Sequence, residues 1–172
     1  SEETGSAWES YSDAIGMRWA PPDITFSDRM SLHWGGPEVV LEYHPGPTAG
    51  SIWVIIPAEK VIFVGDTVVM DQPPFLASAD LSAWLESLDL LLNQYVSYSI
   101  VSGRGGLASA DVIRQTQYFV KETARCMERL AKRNIAPEAT EELIPTLLPL
   151  IPFPPERQER YTQRIRYGLY QY

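Results

Sequence analysis

The side chains that could bind a transition metal or act as nucleophiles are few in this sequence. Its 172 residues include only two histidines, His33 and His44, and one cysteine, Cys126. Zinc sites ordinarily need three or four protein ligands, so no cluster of imidazoles or thiolates can be built from this set. A single cysteine also excludes an intramolecular disulfide. We expect Cys126 to be a packed core thiol, because no histidine lies near it in sequence to activate it.

A carboxylate and a guanidinium each follow an apolar segment of the chain. Asp66 comes after two segments rich in β-branched residues, at 51–56 and 61–64, which are joined by a four-residue turn. Arg104 lies in the glycine-rich loop that follows a short apolar segment at 98–101. The first two segments predict a β-hairpin and the third predicts another strand. Both charged side chains are therefore expected just beyond the ends of strands.

The order of these motifs resembles the second half of the metallo-β-lactamase fold. The run His-Pro-Gly-Pro-Thr-Ala-Gly-Ser at 44–51 stands where that family has Pro-Gly-His-Thr-Pro-Gly-Ser, and the next hairpin ends, as in the family, in Gly65-Asp66. A proline-containing loop, a helix, a strand and a glycine-rich loop follow in the family's order. The resemblance covers about residues 20–130 and implies half of an αββα sandwich: an α/β (α+β) fold with a mixed sheet and helices on one face. The family's first half carries a His-x-His-x-Asp-His motif, and His-x-His occurs nowhere in this sequence.

The metal-ligand motifs that the resemblance implies are degenerate. Pro47 stands where the family has the histidine of Gly-His-Thr, and Arg104 where it has the histidine of Gly-His-Gly. Neither side chain can coordinate a cation. Asp66 matches the family's bridging carboxylate, so we expect no metal cofactor and an ion pair between Asp66 and Arg104 instead; the plain alternative for Arg104 is a solvated side chain. A second interpretation keeps a zinc, iron or manganese site that uses Asp66 and His44.

The hydrophobic pattern predicts the elements that must position these residues. Strands are expected to precede the hairpin, with a turn at glycines 35 and 36, and the sheet to have about five strands in all. The expected strands lie at 24–26, 30–34 and 39–43, and the expected helices at 7–17, 79–95 and 110–134. Ser109 is the expected N-cap of the last of these helices.

The chain divides into a half-domain at 7–134 and, at 135–172, a proline-rich segment followed by a terminal helix. Prolines interrupt the apolar run at 143–153, so any helix there must be broken. Residues 155–172 recover helical spacing and carry four arginines and two glutamates on a chain of net charge −8. This C-terminal helical extension either packs on its own domain or is an arm that clasps an acidic partner or a second copy.

Composition excludes some classes of partner. The net charge of −8 and a sequence pI near 4.7 argue against binding to nucleic acid or to an anionic membrane. No apolar run approaches the roughly 20 residues that span a bilayer, and the polar start is unlike a signal peptide. We expect a soluble, cytoplasmic protein.

Three functions are compatible with these residues. The first is a metallo-β-lactamase-like module with a degenerate metal site, non-catalytic and acting in structure or interaction. The second is a component of a metal-dependent hydrolase of esters, lactones or thioesters, whose first half and remaining ligands come from another segment or chain. The third is a binder of small anions through Arg104.

Association is expected because a solitary half leaves one sheet face without its usual partner. The apolar residues that would be left open are Ile52, Val54, Ile62 and Val64, or their alternates on the same strands. We expect a homodimer or a chain that supplies the first half, and the alternative is that residues 143–172 fold back over the face.

Overall fold

Six strands form one mixed sheet in the computed structural model, which describes residues 21–133 and 137–171. The strands are β1 (Arg29–Leu32), β2 (Val39–Tyr43), β3 (Ile52–Ile56), β4 (Val61–Phe63), β5 (Ser99–Val101) and β6 (Leu107–Ala108). They lie side by side in chain order, and every neighbouring pair is antiparallel except β4 and β5, which are parallel. The helix predicted at 7–17 lies outside the described residues.

Two long helices and two at the C-terminus accompany the sheet. They are α1 (Leu81–Asn93), α2 (Ala110–Lys132), α3 (Ile144–Leu147) and α4 (Gln158–Gln171). Short 3-10 helices occur at Pro57–Glu59, Gly65–Thr67, Pro137–Leu143, Leu148–Leu150 and Pro155–Arg157. The predicted N-cap is confirmed: the Ser109 hydroxyl accepts a hydrogen bond from the Val112 amide at 3.4 Å. Helix α1 connects β4 to β5, which is the crossover that a parallel pair of strands requires.

Both predicted hairpins are present, and one predicted strand is wrong. The first hairpin turns at Gly35, whose φ of +85° suits glycine, and the second turns through Lys60 in the left-handed region at φ +50°. Residues 24–26 form no strand, and Ile24 is 67% exposed. A three-residue segment without a neighbouring strand has no ladder to join, and β1 begins only at Arg29.

The main core lies between the sheet and the two long helices. Side chains alternate along the strands, so Trp53 and Ile55 of β3 share the buried face with Ile62 of β4. Trp84 of α1 and Phe119 of α2 are completely buried in the same cluster. The helices therefore cover one face of the sheet, as predicted.

The opposite face of the sheet is apolar and open within the described residues. On β3 and β4 it presents Ile52, Val54 and Phe63, and no side chain on this face of the two strands is buried. Val54 pairs with Phe63 in the ladder, which places Ile62 and Val64 on the other, buried face. The expectation that these two share a face with Ile52 and Val54 is wrong, because the register of the hairpin was not fixed by the pattern alone.

The C-terminal segment packs on the helical side of the fold. Leu147 of α3 and Tyr161, Ile165 and Leu169 of α4 belong to the same buried cluster as the sheet and α2. The prolines break the helix between 143 and 157 as expected, and α4 packs on its own chain. Within the described residues, no helix combines the length and the hydropathy needed to cross a membrane.

Candidate functional site

The candidate site lies where the parallel strands β4 and β5 end. Because parallel strands finish at the same edge of a sheet, the loops after β4 and β5 meet there. The Val64 amide donates to the Val101 carbonyl at 3.0 Å, and the Gly103 amide donates to the Gly65 carbonyl at 2.7 Å. The two loops are thus tied together beside Asp66.

Asp66 and Arg104 are in contact at this edge. Arg104 Nε lies 3.5 Å from Asp66 Oδ1, and about half of each side chain is exposed. Gly103 makes the approach possible, since a Cβ there would lie 2.6 Å from the Gly65 carbonyl carbon. At half exposure such an ion pair contributes only a few tenths of a kcal/mol, up to about 1 kcal/mol. The ion pair therefore matters little for the stability of the fold. It matters because it occupies the Asp66 carboxylate.

Two buried indoles fix the segment that follows Asp66. Trp53 Nε1 donates to the Thr67 hydroxyl at 3.0 Å, and Trp84 Nε1 donates to the Thr67 carbonyl at 2.9 Å. Thr67 itself is buried. The direction in which Asp66 leaves the strand is therefore set by β3 and α1 together.

Arg104 is held by backbone contacts on its other side. The Met70 amide donates to the Arg104 carbonyl at 2.9 Å, and the Ser102 hydroxyl lies 3.0 Å from the same oxygen. Gly105 has a φ of +113° and passes so close to Met70 that a Cβ would lie 2.5 Å from that side chain. The glycine-rich loop is thus closely packed around a guanidinium that remains accessible.

His44 is engaged away from this pair. Its ring stacks on Trp53 with ring centroids 3.7 Å apart, and Nε2 lies 3.2 Å from Glu42 Oε2. Burial lowers the pKa of His44, and the nearby Glu42 carboxylate opposes that shift. The Tyr95 hydroxyl donates to the same Glu42 oxygen at 3.3 Å, and burial raises the pKa of Tyr95 to about 12.

The remaining candidate residues from the sequence lie outside the Asp66–Arg104 ion pair. Cys126 is completely buried, which confirms the core thiol, and Arg129 Nη2 approaches its Sγ at 3.0 Å. His33 lies on the exposed β1–β2 hairpin, 3.7 Å from Glu38 Oε1. Pro47 is buried in the loop before β3, and that loop packs on α1.

The donor set at the strand ends does not fit a transition metal. Across the described parts of the chain, no group of three His, Cys, Asp or Glu side chains is placed to hold a metal ion. Asp66 contacts a permanently charged guanidinium, and His44 is directed to Glu42. One carboxylate cannot replace the three or four ligands that such sites need.

Sequence reasoning missed one group near this edge. Arg164 of α4 donates from Nη1 to the Gln72 side-chain oxygen at 2.8 Å and lies 3.3 Å from the Pro73 carbonyl oxygen. The positive charge of residues 155–172 was the only available signal. Nothing in the local pattern says which loop a terminal helix will contact.

A mixed sheet with helices on one face, and with the α1 crossover between its two parallel strands, is an α/β architecture. The chain belongs to the metallo-β-lactamase superfamily, whose family model matches residues 2–102. The resemblance inferred from the motifs is thereby confirmed.

Solved structures show the same fold. A metallo-β-lactamase from Pontibacter korlensis is 23% identical with a TM-score of 0.53, and the match covers 59% of this chain and 50% of that one. TMB-1 is 18% identical with a TM-score of 0.51, and the match covers 65% of this chain and 52% of that one. The chain therefore spans about half the length of these proteins. No curated protein matches it.

Proposed function

We propose that this chain is a non-catalytic metallo-β-lactamase-like module that acts through protein interaction. The observation that carries the proposal is the contact between Arg104 Nε and Asp66 Oδ1 at 3.5 Å. A guanidinium stays protonated in proteins, so it cannot yield its place to a ligand by losing a proton. In this chain the guanidinium of Arg104 balances the charge of Asp66. In a metal site the metal ion would balance it.

The interaction is assigned to the open face of the sheet. Ile52 and Phe63 are 38% and 42% exposed there, and Leu107 on the outermost strand is 67% exposed. Contiguous apolar surface of this kind is typical of an interface. The proposed occupant is a second copy of this chain, since α3 and α4 pack on the helical side and do not cover the face.

A two-fold dimer suits the geometry of that face. In the superfamily fold two similar halves pack sheet against sheet, and this chain covers only 50% of the Pontibacter enzyme. Two copies related by a two-fold axis would present the same apolar residues to each other, as closed dimers do. Burying the face in this way removes side chains such as Phe63 from water.

A hydrolase component is the second candidate function. It is favoured by the coverage of about half of each similar structure, which leaves room for a first half supplied by another segment or chain. Asp66 would then be this chain's contribution to a zinc, iron or manganese centre. The position of Arg104 counts against it, because a positive charge 3.5 Å from the carboxylate opposes a cation there.

The metal content of the purified chain tests the proposal. Protein expressed with added zinc, iron and manganese and purified without chelator is measured by plasma mass spectrometry, beside Arg104→His, which restores a possible ligand. We expect far less than one equivalent of each metal in the wild type. One or two equivalents of any of them, lost in Asp66→Asn, would overturn the non-catalytic proposal in favour of the hydrolase component.

A further inference from the structure

Arginines from two distant parts of the chain approach the same loop beside Asp66. Arg104 belongs to the loop after β5, and its carbonyl accepts a hydrogen bond from the Met70 amide at 2.9 Å. Arg164 belongs to α4 and donates to Gln72 at 2.8 Å. Arg104 and Arg164 therefore contact the same loop, at Met70 and at Gln72, which are two residues apart.

The register of α4 along this loop brings a further arginine toward Arg104. Tyr167 stacks on Phe75 with ring centroids 5.9 Å apart, and Gly168 lies so close to Leu76 that a Cβ would be 2.9 Å from that side chain. Arg164, one turn earlier, contacts Gln72. The helix thus runs parallel to residues 72–76.

Arg160 precedes Arg164 by one more helical turn, about 6 Å along the axis. This displacement points back toward Met70, whose amide holds the Arg104 loop. Arg160 is exposed. The register therefore directs three guanidinium-bearing residues to the end of the sheet where Asp66 lies.

The positive charge of this arginine cluster (Arg104, Arg160 and Arg164) exceeds the negative charge that contacts it. Arg104 contacts Asp66, whereas Arg160 and Arg164 make no ion pair within residues 21–133 and 137–171. Burial lowers the pKa of Arg164, and repulsion by Arg104 and Arg160 lowers it further, while Asp66 opposes the shift. Counting only the groups that form these contacts, three guanidiniums and one carboxylate leave a surplus of two positive charges on an otherwise acidic chain.

We infer that the arginine cluster is a binding site for a doubly charged oxyanion of the phosphate class, such as a phosphate monoester. The surplus of two charges matches a phosphate dianion, and the planar forks of guanidinium groups match phosphate oxygens in bidentate geometry. Gln72 holds Arg164 in place, so its fork is partly organised before the anion arrives. This inference goes beyond the proposed interaction role and does not require the dimer.

Titration of the full-length chain with inorganic phosphate tests the site. The measurement is isothermal calorimetry at low ionic strength with a metal chelator present, because salt screens exposed charges. We expect saturable binding with a Kd of about 1 mM or tighter, competition by sulfate, and none by chloride at equal ionic strength. Arg164→Gln and Arg104→Gln are each expected to weaken binding at least about tenfold, a loss of about 1.4 kcal/mol.

Matched variants separate a built site from general charge. Arg114→Gln removes an exposed arginine that is paired with Asp111 on α2, and it should bind phosphate like the wild type. Among the described residues, Asp66 is the only carboxylate that forms an ion pair with the cluster. Asp66→Asn should therefore tighten binding, which a merely unfolded variant would not do. Arg160→Gln changes an exposed residue and tests the cluster even if Arg164→Gln fails to fold.

Several outcomes would overturn the inference. They are the absence of saturable phosphate binding, equal losses in Arg114→Gln and Arg164→Gln, or weaker binding in Asp66→Asn. Stoichiometric metal in the purified chain would refute the proposed non-catalytic role, whereas phosphate binding that persists with the chelator would leave the arginine site standing. Failure of the non-catalytic proposal and failure of the phosphate site are therefore distinguishable.

Discussion

Gly103 and Asp66 pack so closely that a Cβ on the glycine would lie 2.7 Å from the Asp66 Oδ1 atom. The contact brings the loops after two parallel strands together and lets Arg104, the next residue, reach the carboxylate. A side chain at 103 would push the two loops apart. The charged pair therefore depends on a residue that carries no charge.

Gly103→Ala should destabilise the fold and separate Arg104 from Asp66. The new Cβ collides with Gly65 backbone atoms, which cannot move as a flexible side chain could. Overpacking of this kind typically costs about 1–3 kcal/mol. Thermal denaturation checks the loss, with Gly50→Ala as the matched control, because a Cβ at position 50 meets nothing within 4 Å. Equal melting temperatures for the two variants would contradict the close approach.

Trp84→Phe should destabilise the chain beyond the loss of packing. The indole N–H donates to the Thr67 carbonyl at 2.9 Å, and phenylalanine leaves that buried acceptor unpaired. An unpaired buried group costs about 1–3 kcal/mol. Chemical denaturation of Trp84→Phe against Trp34→Phe measures the effect, because Trp34 is 65% exposed. A loss no larger in Trp84→Phe than in Trp34→Phe would show that this hydrogen bond does not stabilise the fold.

Light scattering coupled to size exclusion should give a mass of twice 19.4 kDa for the wild type. Leu107→Lys and Phe63→Arg place charges on the open sheet face and are expected to yield monomers. Val96→Lys is the control, since Val96 is 74% exposed in the turn after α1 and lies off the sheet. A wild-type monomer at micromolar concentration, or dissociation in Val96→Lys as well, would refute the dimer.

Acid should destabilise the fold through His44. Burial lowers its pKa in the folded state below the ordinary histidine value of 6.5, so the unfolded chain binds a proton first as the pH falls. Stability is then present in full above about pH 6.5 and decreases below it, until the folded state is protonated too.

The free energy of unfolding measured from pH 8 to pH 5 checks this dependence. His44→Asn should remove part of the slope below pH 6.5. An identical pH profile in His44→Asn and the wild type would show that His44 does not contribute to the loss of stability in acid.

The elements that could be predicted from sequence are those with strong local signals. Strands β2 to β4 combine β-branched residues with glycine or proline turns, and α1 has an apolar stripe with Asp80 as its cap. The two-residue strand β6 was missed because its pairing depends on Gly105 and Gly106 in left-handed conformations, which no hydrophobic pattern reveals.

The candidate site divides in the same way. The approach of Arg104 to Asp66 could be anticipated because both follow strands that the superfamily fold places side by side. The position of Arg164 could not, since it depends on how α4 packs against residues 72–76. Tertiary packing of that kind is set by shape complementarity over many residues and leaves no short motif.

Zinc titration of the metal-free chain shows whether Asp66 can still serve as a metal ligand. We expect no saturable binding at micromolar zinc, in the wild type and in Asp66→Asn alike, because Arg104 occupies the carboxylate and no described group of three ligands surrounds it. Stoichiometric binding at micromolar or lower zinc that Asp66→Asn abolishes would contradict it.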